Sequence, residues 1–166
     1  MALLSVAEAL QRVLAHASPL PPEEIPLQEA AGSVLAYDLK ALRTQPPADV
    51  SAMDGYAVRA ADVANAPVRL RIVGEVAAGR PFAASVGAGE AARIFTGGFV
   101  PEGADTVVIQ EVTARNGDAV EIQKTTTKGR NVRVTGLDFR AGETLLKKGH
   151  RLTARDLALA AGMNHP

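Results

Sequence analysis

The sequence predicts an α+β protein: a small helix-containing domain made from both chain ends, with a predominantly β, barrel-like domain inserted between them. Three observations support this fold class. Apolar residues recur at helical spacing near both ends, they alternate with polar residues through the middle, and Pro46-Pro47 separates the first part from the second. We therefore assign residues 1–43 and 138–166 to a discontinuous α/β linking or dimerisation domain, and residues 44–137 to the β domain.

The first predicted element is an amphipathic helix over residues 6–16. Ser5 and Glu8 have the spacing of a capping box, in which each side chain accepts the backbone N–H of the other residue. Behind this cap lies one apolar stripe at helical spacing: Val6, Leu10, Val13 and Leu14. Pro19 follows, and proline cannot continue a helix.

Two short elements are expected before the paired prolines. Residues 27–31 are predicted to be helical and to end at Gly32, a residue type that favours helix termini. Residues 34–42 are predicted to form a strand, or a strand that runs into a connector. The prolines then favour an extended segment, which suits a boundary between domains.

The middle of the chain is predicted to contain several short strands. Apolar residues alternate along 68–76, and residues 106–113 are rich in β-branched side chains. A further strand is expected at 119–125. Between the last two lies Asn116-Gly117, a sequence typical of hairpin turns, so these two strands are predicted to pair.

The last predicted element is a second helix that begins after Thr153. Thr153 is suited to be its N-cap, and Gly162 is expected at the C′ position that follows it. Because the sequence stops soon after this helix, we expect the natural chain to continue past Pro166 into a further domain.

Composition excludes several classes of function. There are 18 basic and 18 acidic residues and no cysteine, so the chain offers no overall charge for nucleic acid or an acidic membrane, and no thiolate chemistry. His16, His150 and His165 lie far apart in the sequence, which argues against a histidine metal site. No uncharged stretch approaches the about 18 residues of a membrane helix. A cytoplasmic protein is expected.

Asp54, in the stretch SAMDGYAV (51–58), is the first candidate for chemistry. Asp54-Gly55 is compatible with a simple type I′ turn. Alternatively, Gly55 lets a backbone or ligand approach closely, and the Asp54 carboxylate binds Mg²⁺, accepts a proton or orients a metal oxyanion.

Two further stretches carry candidates. In RIFTGG (93–98), either a strand runs into a glycine turn, or the amides around Gly97 and the Thr96 hydroxyl form an anion-binding nest. Residues 124–151 hold eight basic residues against two acidic ones. Such a run is either a solvated face or the lining of a pocket for a phosphate-bearing ligand.

Five stretches in this order resemble the N-terminal region of the MoeA-like molybdopterin molybdenumtransferases, a group that includes the gephyrin E domain. They are SAMDGYAV (51–58), RIFTGG (93–98), VPEGADTVVIQE (100–111), GRNVRVTGLD (129–138) and AGETLLKKGHRLT (141–153). The resemblance implies an enzyme that inserts molybdenum from molybdate into adenylylated molybdopterin, requires Mg²⁺ and acts as a homodimer. It also implies a later pterin-binding-like domain, absent from this sequence, that completes a cleft shared between subunits.

The resemblance assigns roles to particular residues. It implies catalytic roles for Asp54 and Thr96, with Asp54 the best candidate for contact with metal. It also implies substrate-binding roles for Arg133, Asp138, Ser51 and Gly97. One departure concerns Asp138, because Leu137 stands where the family usually has a glutamate.

Two other functions stay open on the sequence. One is a non-catalytic dimerisation and docking module, and the other is a small β module that binds an oxyanion by itself. As a fragment of the enzyme, this chain is expected to be inactive alone.

Overall fold

The computed structural model describes residues 4–80 and 82–166. In this part, α1 (Val6–Leu14) and α2 (Ala154–Gly162) lie near the chain ends, and all strands lie between them. The strands are β1 (Leu39–Lys40), β2 (Val50–Ser51), β3 (Gly55–Val58), β4 (Val68–Val76), β5 (Glu90–Ile94), β6 (Thr106–Ile109), β7 (Thr113–Asn116), β8 (Ala119–Ile122), β9 (Val132–Arg133) and β10 (Thr144–Leu146). The mostly β content with a helix near each end confirms the predicted α+β class.

Helix α1 begins as predicted but packs against no other described part of the chain. The amide of Glu8 donates to the Ser5 hydroxyl at 3.3 Å, and the amide of Ser5 donates to the Glu8 carboxylate at 3.0 Å. The helix ends at Leu14, two residues before the predicted end, because the next residues form a turn. All its residues are exposed, so the apolar stripe has no partner among the described residues.

Six strands form one sheet in the order β6-β3-β5-β4-β8-β7. Strands β4 and β5 run parallel, and the other neighbouring pairs are antiparallel. The sheet curls into a half-barrel that stays open, because the edge strands β6 and β7 do not pair with each other in the described chain. The barrel-like expectation is therefore met in this open form.

Strand β3 is buried on both faces of the sheet. Tyr56 and Val58 join one apolar cluster, and Ala57 joins the cluster on the opposite face. Gly55, at the start of β3, has the β6 backbone directly against it: a Cβ there would lie 1.9 Å from the Val108 carbonyl oxygen. The predicted close approach at Gly55 is thus made by a neighbouring strand.

The predicted hairpin exists, but with a different first strand. Strands β7 and β8 pair through a turn at Gly117-Asp118, next to the Asn-Gly signal. The single strand expected at 106–113 is wrong because a 3₁₀ turn, Gln110–Val112, interrupts it. The Thr113 hydroxyl donates to the Gln110 carbonyl oxygen at 2.9 Å and stabilises this interruption.

Residues from the two chain ends contact each other. Strands β1 and β10 pair, and Ala30, Leu146 and Leu152 share a buried cluster. The predicted strand at 34–42 is wrong except for β1, since backbone groups before it bond to loop residues, as when the Leu35 amide donates to the His150 carbonyl oxygen. The exact domain boundaries stay a prediction.

Helix α2 has the predicted cap. Hydrogen bonds from the Thr153 hydroxyl, the His150 ring and the Thr153 amide lower the pKa of Asp156 to about 2. The helix includes Gly162, so the expectation of Gly162 at C′ is wrong, and Asn164 has the left-handed backbone (φ 76°) instead. Neither described helix has the length and apolar character needed to cross a bilayer.

Candidate functional site

Asp54 and Thr96 are in direct contact, although 42 residues separate them. The Thr96 amide and the Thr96 hydroxyl both donate to Asp54 Oδ1, each at 2.8 Å. Thr96 is exposed and Asp54 is partly exposed. The structure therefore brings together the two residues that the resemblance gives catalytic roles.

The β-sheet register explains this contact. Strands β3 and β5 are antiparallel, with Gly55 opposite Ile94, so the residue before β3 lies beside the residues after β5. The Gly98 amide then donates to the Phe95 carbonyl oxygen at 2.8 Å, which closes the turn that presents Thr96. Asp54 is thus positioned by the central strands of the sheet.

The Asp54 carboxylate is held in its charged form. The Thr96 amide, followed by the Thr96 hydroxyl, lowers the pKa of Asp54 below its ordinary value, and the positive charge of Arg93 adds to the effect. Both recorded hydrogen bonds reach Oδ1. Among the described residues, Oδ2 has no donor, so this oxygen is available for a ligand.

Arg93 supports the Asp54 loop from the adjacent strand. Its guanidinium lies 5.3 Å from the Tyr56 ring centroid and 4.7 Å from that of Phe95. It also donates to the Gly55 carbonyl oxygen at 3.1 Å and to Gln110 Oε1 at 2.7 Å. A guanidinium between two aromatic faces is held by cation–π attraction as well as by hydrogen bonds. Arg93 opens the candidate stretch RIFTGG, but the sequence predicted no role for it.

Two interpretations of these loops do not fit the structure: the type I′ turn at Asp54-Gly55 and the anion-binding nest around Gly97. Neither Asp54 nor Gly55 has a positive φ, so they do not form a type I′ turn. The amides of Thr96, Gly97 and Gly98 already donate to Asp54, to the Ser51 carbonyl oxygen and to Phe95, so they leave no donor for an anion nest. In this conformation the Gly97 amide bonds to β2, and a substrate-binding role for Gly97 stays a prediction.

Ser51 is buried beside the loop that carries Asp54. Its side chain is 1% exposed, and its hydroxyl donates to the Met53 carbonyl oxygen at 2.6 Å. The hydroxyl shapes the backbone that leads to Asp54. The local turn therefore uses this hydroxyl in the present conformation, and a substrate-binding role for Ser51 stays a prediction.

Arg133 and Asp138 form an exposed ion pair with each other. Arg133 Nη2 lies 2.8 Å from Asp138 Oδ1 and 3.0 Å from Oδ2. Arg133 is directly opposite Val50 in the β2–β9 pair, so these residues lie beside the segment that leads to Asp54. Each side chain neutralises the other, and an anion that binds Arg133 must compete with Asp138.

Two lysines of the basic stretch 124–151 lie in separate ion pairs. Lys128 lies 3.8 Å from Asp105, whereas Lys147 lies 3.2 Å from Asp38 near β1. These two cations contact acids on different parts of the fold, so a phosphate pocket lined by the stretch stays a prediction.

Asp49 is a second residue that the sequence analysis missed. Its Oδ1 accepts hydrogen bonds from the Thr135 amide at 2.8 Å and from the Thr135 hydroxyl at 2.9 Å. An aspartate and a threonine 86 residues apart carry no local signal of contact, so neither period nor turn chemistry could reveal the pair.

The described residues contain no cluster of three or more His, Cys, Asp or Glu side chains able to hold a metal ion. Asp54 is therefore a single carboxylate with one free oxygen. Magnesium commonly keeps several waters and is bound through one or two carboxylates and substrate phosphates. The free Asp54 oxygen could serve as one ligand of such a magnesium site, whose other ligands would come from water, the substrate or another part of the protein.

Comparisons with known proteins agree over nearly the whole chain. Residues 4–163 match the MoeA N-terminal region (domain I and II). A molybdopterin molybdenumtransferase from Synechococcus elongatus is 39% identical over 97% of this chain and 42% of its own length. The molybdopterin molybdenumtransferase 2 of Mycobacterium tuberculosis is 40% identical over 86% of this chain and 36% of its own length.

A solved structure shows the same fold. The crystal structure of a molybdopterin biosynthesis MoeA protein from Pyrococcus horikoshii matches with a TM-score of 0.92 and 36% identity. The match covers 98% of this chain and 44% of the archaeal chain. The chain thus spans less than half the length of the relatives that it matches.

Proposed function

The chain belongs to the MoeA N-terminal region family, and from this premise we propose that it supplies one side of a molybdenum-insertion site. The reaction transfers molybdenum from molybdate into adenylylated molybdopterin during molybdenum cofactor biosynthesis. The observation that carries the proposal is the Asp54 carboxylate, held by Thr96 through one oxygen and accessible through the other.

Asp54 and Thr96 act at the molybdate end of the site. The free Asp54 oxygen accepts hydrogen bonds from a protonated oxygen or water of the incoming metal species, and it orients that species for transfer. Thr96 keeps the carboxylate ionised and fixed in direction. Preorganised charge of this kind stabilises a transition state because no reorganisation is needed during the reaction.

Arg133 and Asp138 act at the phosphate end of the substrate. A guanidinium binds phosphate through directed N–H donors, and Arg133 exchanges its ion pair with Asp138 for this contact. Asp138 then becomes available to accept a hydrogen bond from the substrate.

Asp54 is also the residue of this chain that would hold Mg²⁺. When bound, the ion would supply positive charge that polarises substrate oxygens beside Asp54. We propose that a later domain supplies the other ligands, that the enzyme is a cytoplasmic homodimer, and that the cleft is completed across the dimer.

A second candidate function is a docking or dimerisation module. The observation that favours it is the apolar stripe of α1, whose Val6 and Val13 side chains are 86% and 72% exposed. Docking through α1 is compatible with an enzymatic role, so it adds to the first proposal. Analytical ultracentrifugation of this chain, with and without Val13→Glu, tests self-association through that face.

The enzymatic proposal is tested with a chimera. Residues 4–163 of this chain replace the matching region of the Synechococcus elongatus relative, and molybdenum insertion is measured from molybdate and adenylylated molybdopterin. We expect an active chimera, and Asp54→Ala is expected to lower the insertion rate by roughly a hundredfold or more, as for other preorganised charge stabilisers.

Glu121→Ala is the matched control. Glu121 is an exposed carboxylate on β8, which β4 separates from β5, so its removal changes the net charge equally without touching Asp54. An Asp54→Ala chimera as active as this control would remove Asp54 from the reaction. An unchanged circular dichroism spectrum of each variant shows that the fold is retained.

A further inference from the structure

We propose that Asp49 is a positioning residue that holds residues 133–138, here called the phosphate arm, in place beside Asp54. The inference rests on the proposed function, since it concerns how Arg133 reaches the substrate. It arises from the contact between Asp49 and Thr135, which lies within the arm, between Arg133 and Asp138.

The Asp49 contact repeats the geometry of the Asp54 contact. In both cases one carboxylate oxygen accepts the amide and the hydroxyl of a single threonine, at 2.8–2.9 Å. Asp49 immediately precedes β2 and Asp54 follows it by three residues. One short strand therefore carries two threonine anchors, one for the turn after β5 and one for the phosphate arm.

Asp49 also connects the arm to the core of the β domain. Its carbonyl oxygen accepts the Val100 amide at 2.9 Å, while its neighbour Val50 pairs with both Arg133 and Phe99. The residue thus joins three segments: the approach to β2, the chain after Gly98, and the arm. A shift of its carboxylate would change the position of Arg133 relative to Asp54.

Hydrogen bonds rather than burial hold the arm. Val134 and Leu137 are 50% and 56% exposed. The Gly136 amide donates to the Pro46 carbonyl oxygen at 2.9 Å, and the Asp138 amide donates to that of Gln45 at 3.0 Å. The Asp49 carboxylate adds charge-assisted bonds to this set, which are stronger than neutral ones. Its removal should loosen the arm and leave the buried sheet intact.

The anchor itself is tested on this chain by amide hydrogen exchange. Asp49→Ala should speed exchange at the Thr135 amide by roughly tenfold, the expected loss of a charge-assisted hydrogen bond. The Thr96 amide, anchored by Asp54, serves as an internal control and should not change. Asp49→Asn keeps an acceptor oxygen and should restore most of the protection. An unchanged Thr135 exchange rate in Asp49→Ala would overturn the inference, whatever the function.

The positioning role is tested in the chimera by kinetics. If Asp49 acts through Arg133 on binding, Asp49→Ala should raise KM for adenylylated molybdopterin several-fold with kcat nearly unchanged, because uniform binding is lost. A merely structural residue would lower the amount of active enzyme and leave KM alone.

A double variant separates the two proposals. Since Asp49 acts through Arg133, Asp49→Ala combined with Arg133→Ala should raise KM no further than Arg133→Ala alone. Additive effects in an active chimera would overturn the positioning role and leave the proposed function standing. A chimera without insertion activity would overturn the proposed function. It would also overturn the positioning role of Asp49 in that reaction.

Discussion

The two residue pairs of the candidate site, Asp54–Thr96 and Arg133–Asp138, are built in different ways. Asp54 is held by the amide and hydroxyl of Thr96, which are neutral donors, so its negative charge is kept. Arg133 is held by Asp138, so the two charges cancel. The first pair lies in loops at the ends of the buried strands β3 and β5, whereas the second lies on an exposed arm.

One site thus combines a fixed charge, the Asp54 carboxylate, with an exchangeable one, the Arg133 guanidinium. The Asp54 carboxylate meets a ligand without giving up a charged partner, which suits a group that orients a reacting metal species. Arg133 must leave a carboxylate to bind a phosphate, which suits reversible substrate binding. Exposed ion pairs contribute little to stability, so breaking the Arg133–Asp138 pair to bind a phosphate costs little free energy.

The largest contrast is expected from an alanine placed beside each pair. Gly55→Ala would put a Cβ 1.9 Å from the rigid Val108 carbonyl oxygen, and we expect it to lower the free energy of unfolding by about 4 kcal/mol or more. Gly136→Ala meets the flexible Arg140 side chain at 2.8 Å in a left-handed backbone (φ 70°) and should cost about 1–2 kcal/mol. Chemical denaturation of both variants measures this. Equal losses would contradict the view that the Asp54 region is the more rigidly packed one.

Variants of the exchangeable pair should act in opposite directions. Arg133→Ala should weaken pyrophosphate binding to this chain by roughly tenfold, since a charged hydrogen-bond donor is lost. Asp138→Asn should strengthen it by about threefold, because the anion no longer competes with a carboxylate for Arg133.

Titration calorimetry with inorganic pyrophosphate measures both effects. Glu121→Gln removes the same charge from an exposed position on β8 and provides the control for net charge. If Asp138→Asn binds pyrophosphate more weakly than Glu121→Gln does, the ion pair does not compete with the ligand.

A smaller effect is expected at Thr96. Thr96→Val removes the hydroxyl donor and keeps the amide, so the insertion rate of the chimera should fall by roughly fivefold, the typical value of one hydrogen bond.

Since the pKa of Asp54 is lowered in the fold, the hydrogen bonds stabilise the protein above the ordinary carboxyl pKa and cease to do so as pH falls through the lowered value. The stability difference between Thr96→Val and the unchanged protein should therefore be present at neutral pH and disappear in acid. A difference that persists at low pH would exclude the carboxylate as its cause.

Local features of the fold were predictable from the sequence, and long-range ones were not. The caps at Ser5 and Thr153 depend on residues three positions apart, so both were predicted correctly. The hairpin near Gly117 followed from turn chemistry, but its first strand was misjudged because residues 110–112 turn to meet the Asp54 carbonyl oxygen. The contact with Asp54 is a tertiary one, so it leaves no periodic signal in the sequence.

The candidate site shows the same limit. The resemblance pointed to Asp54 and Thr96, and their contact depends on the β3–β5 register, which no single segment specifies. It also pointed to Ser51, whose hydroxyl is used by the adjacent backbone. Asp49 and Arg93 were missed since their partners lie on other segments of the sheet and its loops.

The central claim is that Thr96 holds Asp54 as an ionised carboxylate with one free oxygen. Carbon-detected NMR titration of the Asp54 side-chain carboxyl, in this chain and in Thr96→Val, tests it most directly. The account predicts a pKa below the ordinary aspartate value in the unchanged chain and a higher pKa in the variant. A pKa at or above the ordinary value, or one that Thr96→Val leaves unaltered, would contradict it.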